Sequence, residues 1–326
     1  MPRSKSVEDT RMLTKVSKLY YEEGLLQDEI VARLNLSRSK VSRLLQQARD
    51  EGIVRITVLE PPGVYADLEN SLENRYHLQE AIVVEAHQPE SQVVVSREIG
   101  IAAARYLARD IQPNDTIGIS WGSTLNEMVE HLEPMALSNV HVVQIIGGLG
   151  RPESEIHATD LCRRMAHRLG CKMTLLPAPG IVDDQTTRNV YLSDSHVQRA
   201  INHFSGIREA YVGIGSPAPD SVVMRDGYIL SQNEMDQLLS KGAVGDIALR
   251  YFDAYGQPVV SEIDRRVIGM DLEEFSRVER VIGVTGGPQK TAAILGALRG
   301  HHIDVLITDH ATALRLLDAD PQTRTR

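Results

Sequence analysis

The first sixty residues alternate apolar and polar positions with the spacing of three short helices. In each of them the apolar side chains recur every three or four positions, which places them on one face. These side chains are Leu13, Val16, Leu19 and Tyr20, then Ile30, Val31 and Leu34, and finally Val41, Leu44, Leu45 and Ala48. Gly24 ends the first stretch as a helix C-cap does, and Asn35 tolerates the left-handed backbone of a tight turn. The pattern therefore predicts a helix, a short turn and an amphipathic helix that begins after the N-cap Ser37.

The outer face of that last helix is basic and rich in hydroxyl groups. Residues 1–60 contain 11 basic and 9 acidic residues, whereas the other 266 contain 24 and 35, so the positive charge is local. Arginine, lysine and serine on one helix face suit contact with base edges and phosphates in the major groove of DNA. The alternative is an ordinary helical hairpin with a solvated basic face. The predicted DNA-binding residues are Ser37, Arg38, Ser39, Lys40, Ser42 and Arg43.

A predicted strand and a break in the pattern separate the two halves of the chain. Residues 53–59 alternate like a strand and predict a short wing beside the helices. The sequence EPPG at residues 60–63 interrupts both helix and strand. We therefore predict a helix-turn-helix domain at residues 1–59, a linker and helix at 60–78, and a second domain at 79–326.

The second domain alternates short apolar runs with amphipathic stretches. The runs predict buried strands at residues 81–84, 116–119, 140–146, 173–176, 209–214, 281–284 and 305–307. Helices are predicted near residues 96–110, 124–132, 157–169, 194–204, 289–299 and 310–317. This alternation predicts an α/β fold with a doubly wound, mostly parallel sheet, whose ligands bind beyond the carboxyl ends of the strands.

Glycine-rich turns follow four of these predicted strands. They read GISWGST from Gly118, GGLG from Gly147, GIGS from Gly213 and GGPQK from Gly286. Backbone N–H groups in a Gly/Ser/Thr turn at a helix N-terminus form a cradle for phosphate. The spacings of a P-loop and of a dinucleotide fingerprint are absent from the sequence. Asp246, before an apolar run, is predicted either to cap a helix or to belong to a site.

Composition narrows the class of protein. Apolar residues make up 42% of the chain, enough for a sizeable core, yet no apolar run approaches the length of a membrane span. The N-terminus has no apolar segment of a secretory signal, so we expect a cytoplasmic protein without membrane contact. Its two cysteines, Cys162 and Cys171, form neither a disulfide framework nor a CxxC pair, so no metal site is predicted. We find no convincing catalytic set and predict no cofactor.

Together these motifs resemble the SorC family of bacterial sugar-responsive transcriptional regulators. The resemblance spans the chain and rests on YYEEGLLQDEIVARLNLSRSKVSRLL, GISWGST, GGLG, VGIG, GAVGDIALRYFDAYG and GGPQKTAAILGALRG. It implies a helix-turn-helix followed by a domain similar to glucosamine-6-phosphate deaminase and ribose-5-phosphate isomerase. It also implies a homo-oligomer, dimer or tetramer, whose binding to operator DNA is tuned by a phosphorylated sugar.

The same resemblance assigns roles to residues of the glycine turns. It implies that a phosphate lies on Gly118, Ser120, Gly122, Ser123 and Thr124. Gly147 and Gly148 would line the pocket, Asp246 would accept sugar hydroxyls and Lys290 would pair with the phosphate. Ile146 stands where many family members have a polar residue. The GAVGDI block is also similar to regulators of phosphorylated autoinducer-2, which keeps that ligand open.

Three functions are compatible with these features. The first is a ligand-controlled regulator, not an enzyme, and it is the one we expect. The second is a sugar-phosphate enzyme with an added DNA-binding domain, which needs a base over the substrate carbon. The third is an architectural DNA-binding protein without an effector, which leaves four glycine turns along one sheet edge unexplained.

Overall fold

A computed structural model of the chain describes residues 7–56, 61, 63–149, 157–218 and 229–319. The chain divides into two compact units, residues 1–60 and residues 61–326. No helix among the described residues combines the length and the apolar character needed to cross a bilayer.

The first unit is a set of short helices around a small core. Its elements are α1 (Val7–Ser17), a π-helical turn (Lys18–Glu22), α2 (Gln27–Leu34) and α3 (Arg38–Asp50). Asn35 lies in the left-handed region at φ 52°, and the Ser37 side chain accepts a hydrogen bond from the Lys40 N–H, as the sequence predicts. The buried side chains that meet between the helices are Val16, Leu19, Ile30, Val41 and Leu45.

The predicted wing is wrong over residues 53–56, which form no strand. Gly52 adopts φ 70° after α3, and the Val54 N–H donates to the Ala48 carbonyl at 3.0 Å. The chain is therefore held in a helix C-cap where the alternating pattern predicts extended backbone. The rest of the predicted strand, residues 57–59, lies outside the described residues.

The second unit is built on a seven-stranded, wholly parallel sheet. Its strands are β1 (Glu80–Val84), β2 (Thr116–Ile119), β3 (His141–Gln144), β4 (Lys172–Thr174), β5 (Glu209–Val212), β8 (Arg280–Val284) and β9 (Val305–Asp309). They lie side by side in the order β1-β9-β8-β5-β2-β3-β4. A separate antiparallel hairpin is formed by β6 (Ala243–Ile247) and β7 (Arg250–Asp253). All seven predicted strands are present, and they alternate with helices as the sequence predicts.

Helices cover both faces of the sheet. They are α4 (Ala66–Tyr76), α5 (Gln92–Asp110), α6 (Ser123–Glu130), α7 (Ala158–Leu169), α8 (Gln185–Ser193), α9 (Ser195–Ile201), α10 (Gln232–Ser240), α11 (Leu272–Phe275), α12 (Thr291–Arg299) and α13 (His310–Ala319). Successive residues of β1 enter different cores. Ala81 and Val83 belong to the core that also contains residues of α4, α12 and α13, whereas Ile82 and Val84 pack against the core that contains residues of α5, α6 and α7. The doubly wound α/β fold is confirmed.

Candidate functional site

The loop after β2 leads directly into the N-terminus of α6. We call Ser120–Thr124 the phosphate loop, after the ligand that the sequence analysis predicts for it. Gly122 adopts φ 127°, and the space around its Cα is open, so a group in solution can approach the backbone here. The Asn126 N–H is the donor to the Gly122 carbonyl, and the amides before it belong to the first helical turn, which has no intrahelical acceptors. This end of α6 therefore favours an anion.

Of the two side chains before Gly122, that of Ser120 also favours a bound polar group. The Ser120 hydroxyl is buried, and it is one of the few buried polar groups in the described part of the chain without a hydrogen-bond partner. A buried hydroxyl in that state is destabilising unless a further group bonds to it. Trp121, between Ser120 and Gly122, is 7% exposed and packs in the core below the loop. Gly118 lies deeper, within β2, where a side chain would press on Ile145.

The glycines after β3 are in close contact with neighbouring segments of the chain. A Cβ on Gly147 would lie 2.5 Å from the Pro179 carbonyl oxygen, and its N–H already donates to the Ile268 carbonyl at 2.9 Å. The Gly148 N–H donates to the Ala178 carbonyl at 2.8 Å. Close approach of the backbone explains Gly147, whereas a Cβ on Gly148 would lie 3.2 Å from the His157 ring. A contact between either glycine and a ligand stays a prediction.

Asp246 lies in β6, not at the start of a helix, so the predicted alternative of a helix N-cap is wrong. Its carboxylate is buried and accepts a hydrogen bond from the Leu249 N–H at 3.0 Å. Ala248 and Leu249 have φ of 53° and 62°, a turn that non-glycine residues adopt at some strain. The Asp246 carboxylate stabilises that turn. Gly215 forms an isolated bridge with Asp246, and any side chain there would collide with the carboxylate.

Lys290 reaches the same place from another strand end. It is the residue before α12, at the end of the segment Thr285–Lys290, which we call the lysine loop. Its Nζ donates to the Ile214 carbonyl at 3.0 Å. Burial raises the pKa of Asp246 to about 6, against the opposing influence of the Leu249 N–H and the Lys290 charge. The structure thus brings a buried carboxylate and an ammonium group together beside the end of β5.

The sequence missed two residues beside this site, Gln92 and Ser96. Helix α5 begins at Gln92, whereas the pattern predicts a start near residue 96. The three consecutive valines of QVVVS are β-branched and typical of strands, so they do not indicate a helix. The spacing i, i+4 places Gln92 and Ser96 on one helix face, and this is the signal that could have identified them. The Gln92 amide donates to the Ser96 hydroxyl at 3.1 Å.

The six predicted DNA-binding residues are all exposed on α3 and its N-cap. The Arg38 Nε lies 3.6 Å from Asp28 Oδ1 of α2, and the Ser37 and Ser39 hydroxyls are 3.1 Å apart. Ser39, Ser42 and Arg43 follow helical spacing on one face. This surface offers hydrogen-bond donors and positive charge to a groove.

No group of three or more His, Cys, Asp or Glu side chains within the described ranges could hold a metal ion. Burial raises the pKa of the Cys162 thiol to about 12 and that of Cys171 to about 11, so both thiols are poor nucleophiles and poor metal ligands at neutral pH.

Comparison with known proteins identifies the family. Residues 61–318 match the model of the family described as "Putative sugar-binding domain". The deoxyribonucleoside regulator of Bacillus subtilis (strain 168) is 32% identical over 95% of this chain and 98% of its own length.

Solved structures agree with the sequence relatives. The full-length sorbitol operon regulator SorC from Klebsiella pneumoniae is similar, with a TM-score of 0.74, 32% identity and coverage of 95% of this chain and 99% of that one. The structure described as "Putative sugar-binding domain of transcriptional regulator DeoR from Pseudomonas syringae pv. tomato" has a TM-score of 0.62 and 38% identity, and the match covers 78% of this chain and 99% of that one. The chain belongs to the SorC family of sugar-binding transcriptional regulators.

Proposed function

We propose that this chain is a transcriptional regulator whose binding to operator DNA is controlled by a phosphorylated sugar or a related phosphorylated small molecule. The observation that carries the proposal is the phosphate loop, with its open helix N-terminus and the unpartnered Ser120 hydroxyl. Asp246 and Lys290, brought together beside β5, supply an acceptor for hydroxyl groups and a cation for the phosphate. Two relatives are named for sorbitol and deoxyribonucleosides, which are small hydroxylated compounds.

We propose one role for each residue of the site. Gly118, Ser120, Gly122, Ser123 and Thr124 would hold the phosphate. Gly147 and Gly148 would line the pocket, Asp246 would accept the hydroxyl groups and Lys290 would pair with the phosphate. Because effector control needs binding without turnover, we propose that the chain is not an enzyme, as the names of its relatives suggest.

Incubation of the chain with a panel of phosphorylated sugars tests this proposal. A ligand that binds only the folded state raises the melting temperature, by an amount that follows its concentration and affinity. We expect at least one phosphorylated sugar to raise it, with no change in the ligand detected after prolonged incubation. Turnover of the ligand would instead identify a sugar-phosphate enzyme, and no stabilisation by any member would favour a DNA-binding protein without this effector.

For DNA, Arg43 and Lys40 are expected to play different roles. Replacing Arg43 by alanine should reduce discrimination between operator and random DNA by about 1–3 kcal/mol if the guanidinium bonds a guanine bidentately. Lys40→Ala should weaken binding to all sequences alike and flatten the salt dependence, because it removes a phosphate contact. Fluorescence anisotropy with both DNAs at several salt concentrations measures each effect. An unchanged ratio of the two affinities in Arg43→Ala would refute this assignment.

Assembly is expected because one helix-turn-helix covers only half of an operator. We propose that a dimer or tetramer, acting in the cytoplasm, binds the two half-sites. Sedimentation at micromolar concentration should give an oligomer, either free or on operator DNA. A monomer under both conditions would contradict this.

A further inference from the structure

Gln92 lies between the two loops of the proposed effector site. Its Nε2 donates to the Gly286 carbonyl of the lysine loop at 3.0 Å and to the Ser96 hydroxyl at 3.1 Å. The Ser96 hydroxyl, which is buried, in turn accepts a hydrogen bond from the Thr124 hydroxyl of the phosphate loop at 3.3 Å. A continuous chain of hydrogen bonds therefore joins the phosphate loop to the lysine loop through the first two turns of α5.

The lysine loop is shaped to receive the Gln92 side chain. Gly287 adopts φ 111°, and a Cβ at this position would collide with the Gln92 side-chain amide. On its other side the Gly287 N–H donates to Asp309 Oδ2 at 3.0 Å and to the Thr312 hydroxyl at 2.9 Å. The loop is thus held between α5 and the junction of β9 with α13, and only glycine fits at its centre.

The hydrogen bonds that hold Gly286 and Gly287 also affect Lys290, which lies three residues after Gly287. Lys290 is placed by the same loop and reaches the Ile214 carbonyl across the end of β5. Resting on the proposed function, we infer that Gln92 is a positioning residue for the effector site. It fixes the lysine loop relative to the phosphate loop, so that the Lys290 ammonium and the α6 amides converge on one phosphate group.

The alternative is that Gln92 only stabilises the fold. The two cases differ in how Gln92 and Lys290 combine. If Gln92 acts through the position of Lys290, its removal matters little once Lys290 is absent, and the two effects are not additive. A purely structural role predicts the same loss of affinity in either background.

The test uses the full chain with inorganic phosphate as the probe, followed by calorimetry and by the emission of Trp121. Gln92→Met keeps the length of the side chain and removes its hydrogen bonds. It should weaken phosphate binding by about tenfold, the size of one well-formed hydrogen bond. In the Lys290→Ala background the same change should weaken binding by less than about twofold. Val93→Ala, on the same turn of α5 with a side chain 78% exposed, is the matched control and should bind as wild type does.

Each outcome has a distinct meaning. Unchanged affinity in Gln92→Met, or an equal loss with and without Lys290, overturns the positioning role and leaves the proposed function standing. Absence of phosphate binding by the wild-type chain overturns the proposed function and this inference with it. Melting temperatures of all five proteins identify a variant that fails to fold. Ser96→Ala, which cuts the same chain of hydrogen bonds at its centre, then replaces Gln92→Met in the cycle.

Discussion

Replacing Lys290 with alanine should abolish the response to a phosphorylated effector and leave the affinity for operator DNA unchanged in its absence. The ammonium group provides a charge-assisted contact, and its loss costs about 1.5–3 kcal/mol of binding free energy. That corresponds to a decrease in effector affinity of roughly ten- to 150-fold. DNA affinity should persist because α3 belongs to the other compact unit. Titration of wild type and variant with the best ligand, following Trp121 emission and operator binding together, measures both effects.

Lys241 offers a matched control for this experiment. Its Nζ also donates to a backbone carbonyl, that of Val260, at 2.9 Å in the same unit. Lys241→Ala therefore removes an equal charge and a hydrogen bond to a backbone carbonyl, here at an exposed position, and the effector affinity should stay that of wild type. Equal effector affinity in Lys290→Ala and wild type would eliminate Lys290 from the site.

The largest effect on stability is expected at the amino ends of the strands, on the side of the sheet away from the candidate site. Glu209, the first residue of β5, is wholly buried and accepts hydrogen bonds from Arg280 at 2.6 Å and from the Tyr211 hydroxyl at 3.1 Å. Arg280 also donates to Asp110, and the Arg208 guanidinium lies 2.9 Å from Glu209. Arg208 also pairs with Asp115 at 2.8 Å, so two guanidinium groups and three carboxylates are tied together around the amino ends of β5 and β8.

Arg280→Met should lower the free energy of unfolding by about 3–5 kcal/mol, because it leaves buried carboxylates without full compensation. Urea unfolding followed by Trp121 emission reports on this unit, since Trp121 is the only tryptophan. Arg277→Met is the control: Arg277 pairs with Glu273, but both side chains are well exposed, so the change should stay within about 0.5 kcal/mol. A loss as small in Arg280→Met would refute the view that this cluster supports the fold.

The same cluster makes stability depend on pH. Burial, followed by the hydrogen bond with Asp110, raises the pKa of Glu209 to about 7. Because the folded state then holds the proton more tightly than the unfolded state, Glu209 contributes stability below its ordinary pKa, and this contribution is lost as pH rises through about 7. Asp246, with its pKa raised to about 6, acts in the same direction. The contribution of these two groups to the free energy of unfolding should therefore fall between pH 5 and 8. Glu209→Gln should remove the part due to Glu209, which the difference between the pH profiles of wild type and variant measures.

Much of the fold follows from the sequence because buried parallel strands are apolar on both faces and their helices are amphipathic. The hairpin β6–β7 does not follow. Its turn residues, Ala248 and Leu249, have positive φ without the Asn-Gly signal of such turns, and a carboxylate from Asp246 supplies the missing stabilisation. Gly215 is required by that carboxylate, a contact between segments some thirty residues apart that no local pattern encodes.

In the candidate site, too, some residues follow from the local sequence and others do not. The turn before α6 is predictable because Gly, Ser and Thr at the start of a helix have a direct physical meaning. Gly147 and Gly148 share the composition of such a turn, yet their amides bond to the Ile268 and Ala178 carbonyls. The i, i+4 spacing of Gln92 and Ser96 is local, but nothing local indicates the other partner of Gln92, Gly286, which is 194 residues away. Residues whose role depends on distant backbone are the ones that the sequence alone leaves unidentified.

The most direct test of the proposed regulator is the affinity of the wild-type chain for operator DNA at fixed salt, measured with and without each phosphorylated sugar of the panel. We predict that at least one of them changes that affinity by fivefold or more, about 1 kcal/mol of coupling between the two binding events. The same change in operator affinity should be absent with the corresponding unphosphorylated sugar. An operator affinity that no phosphorylated compound changes, although one of them binds the chain and raises its melting temperature, would contradict the account.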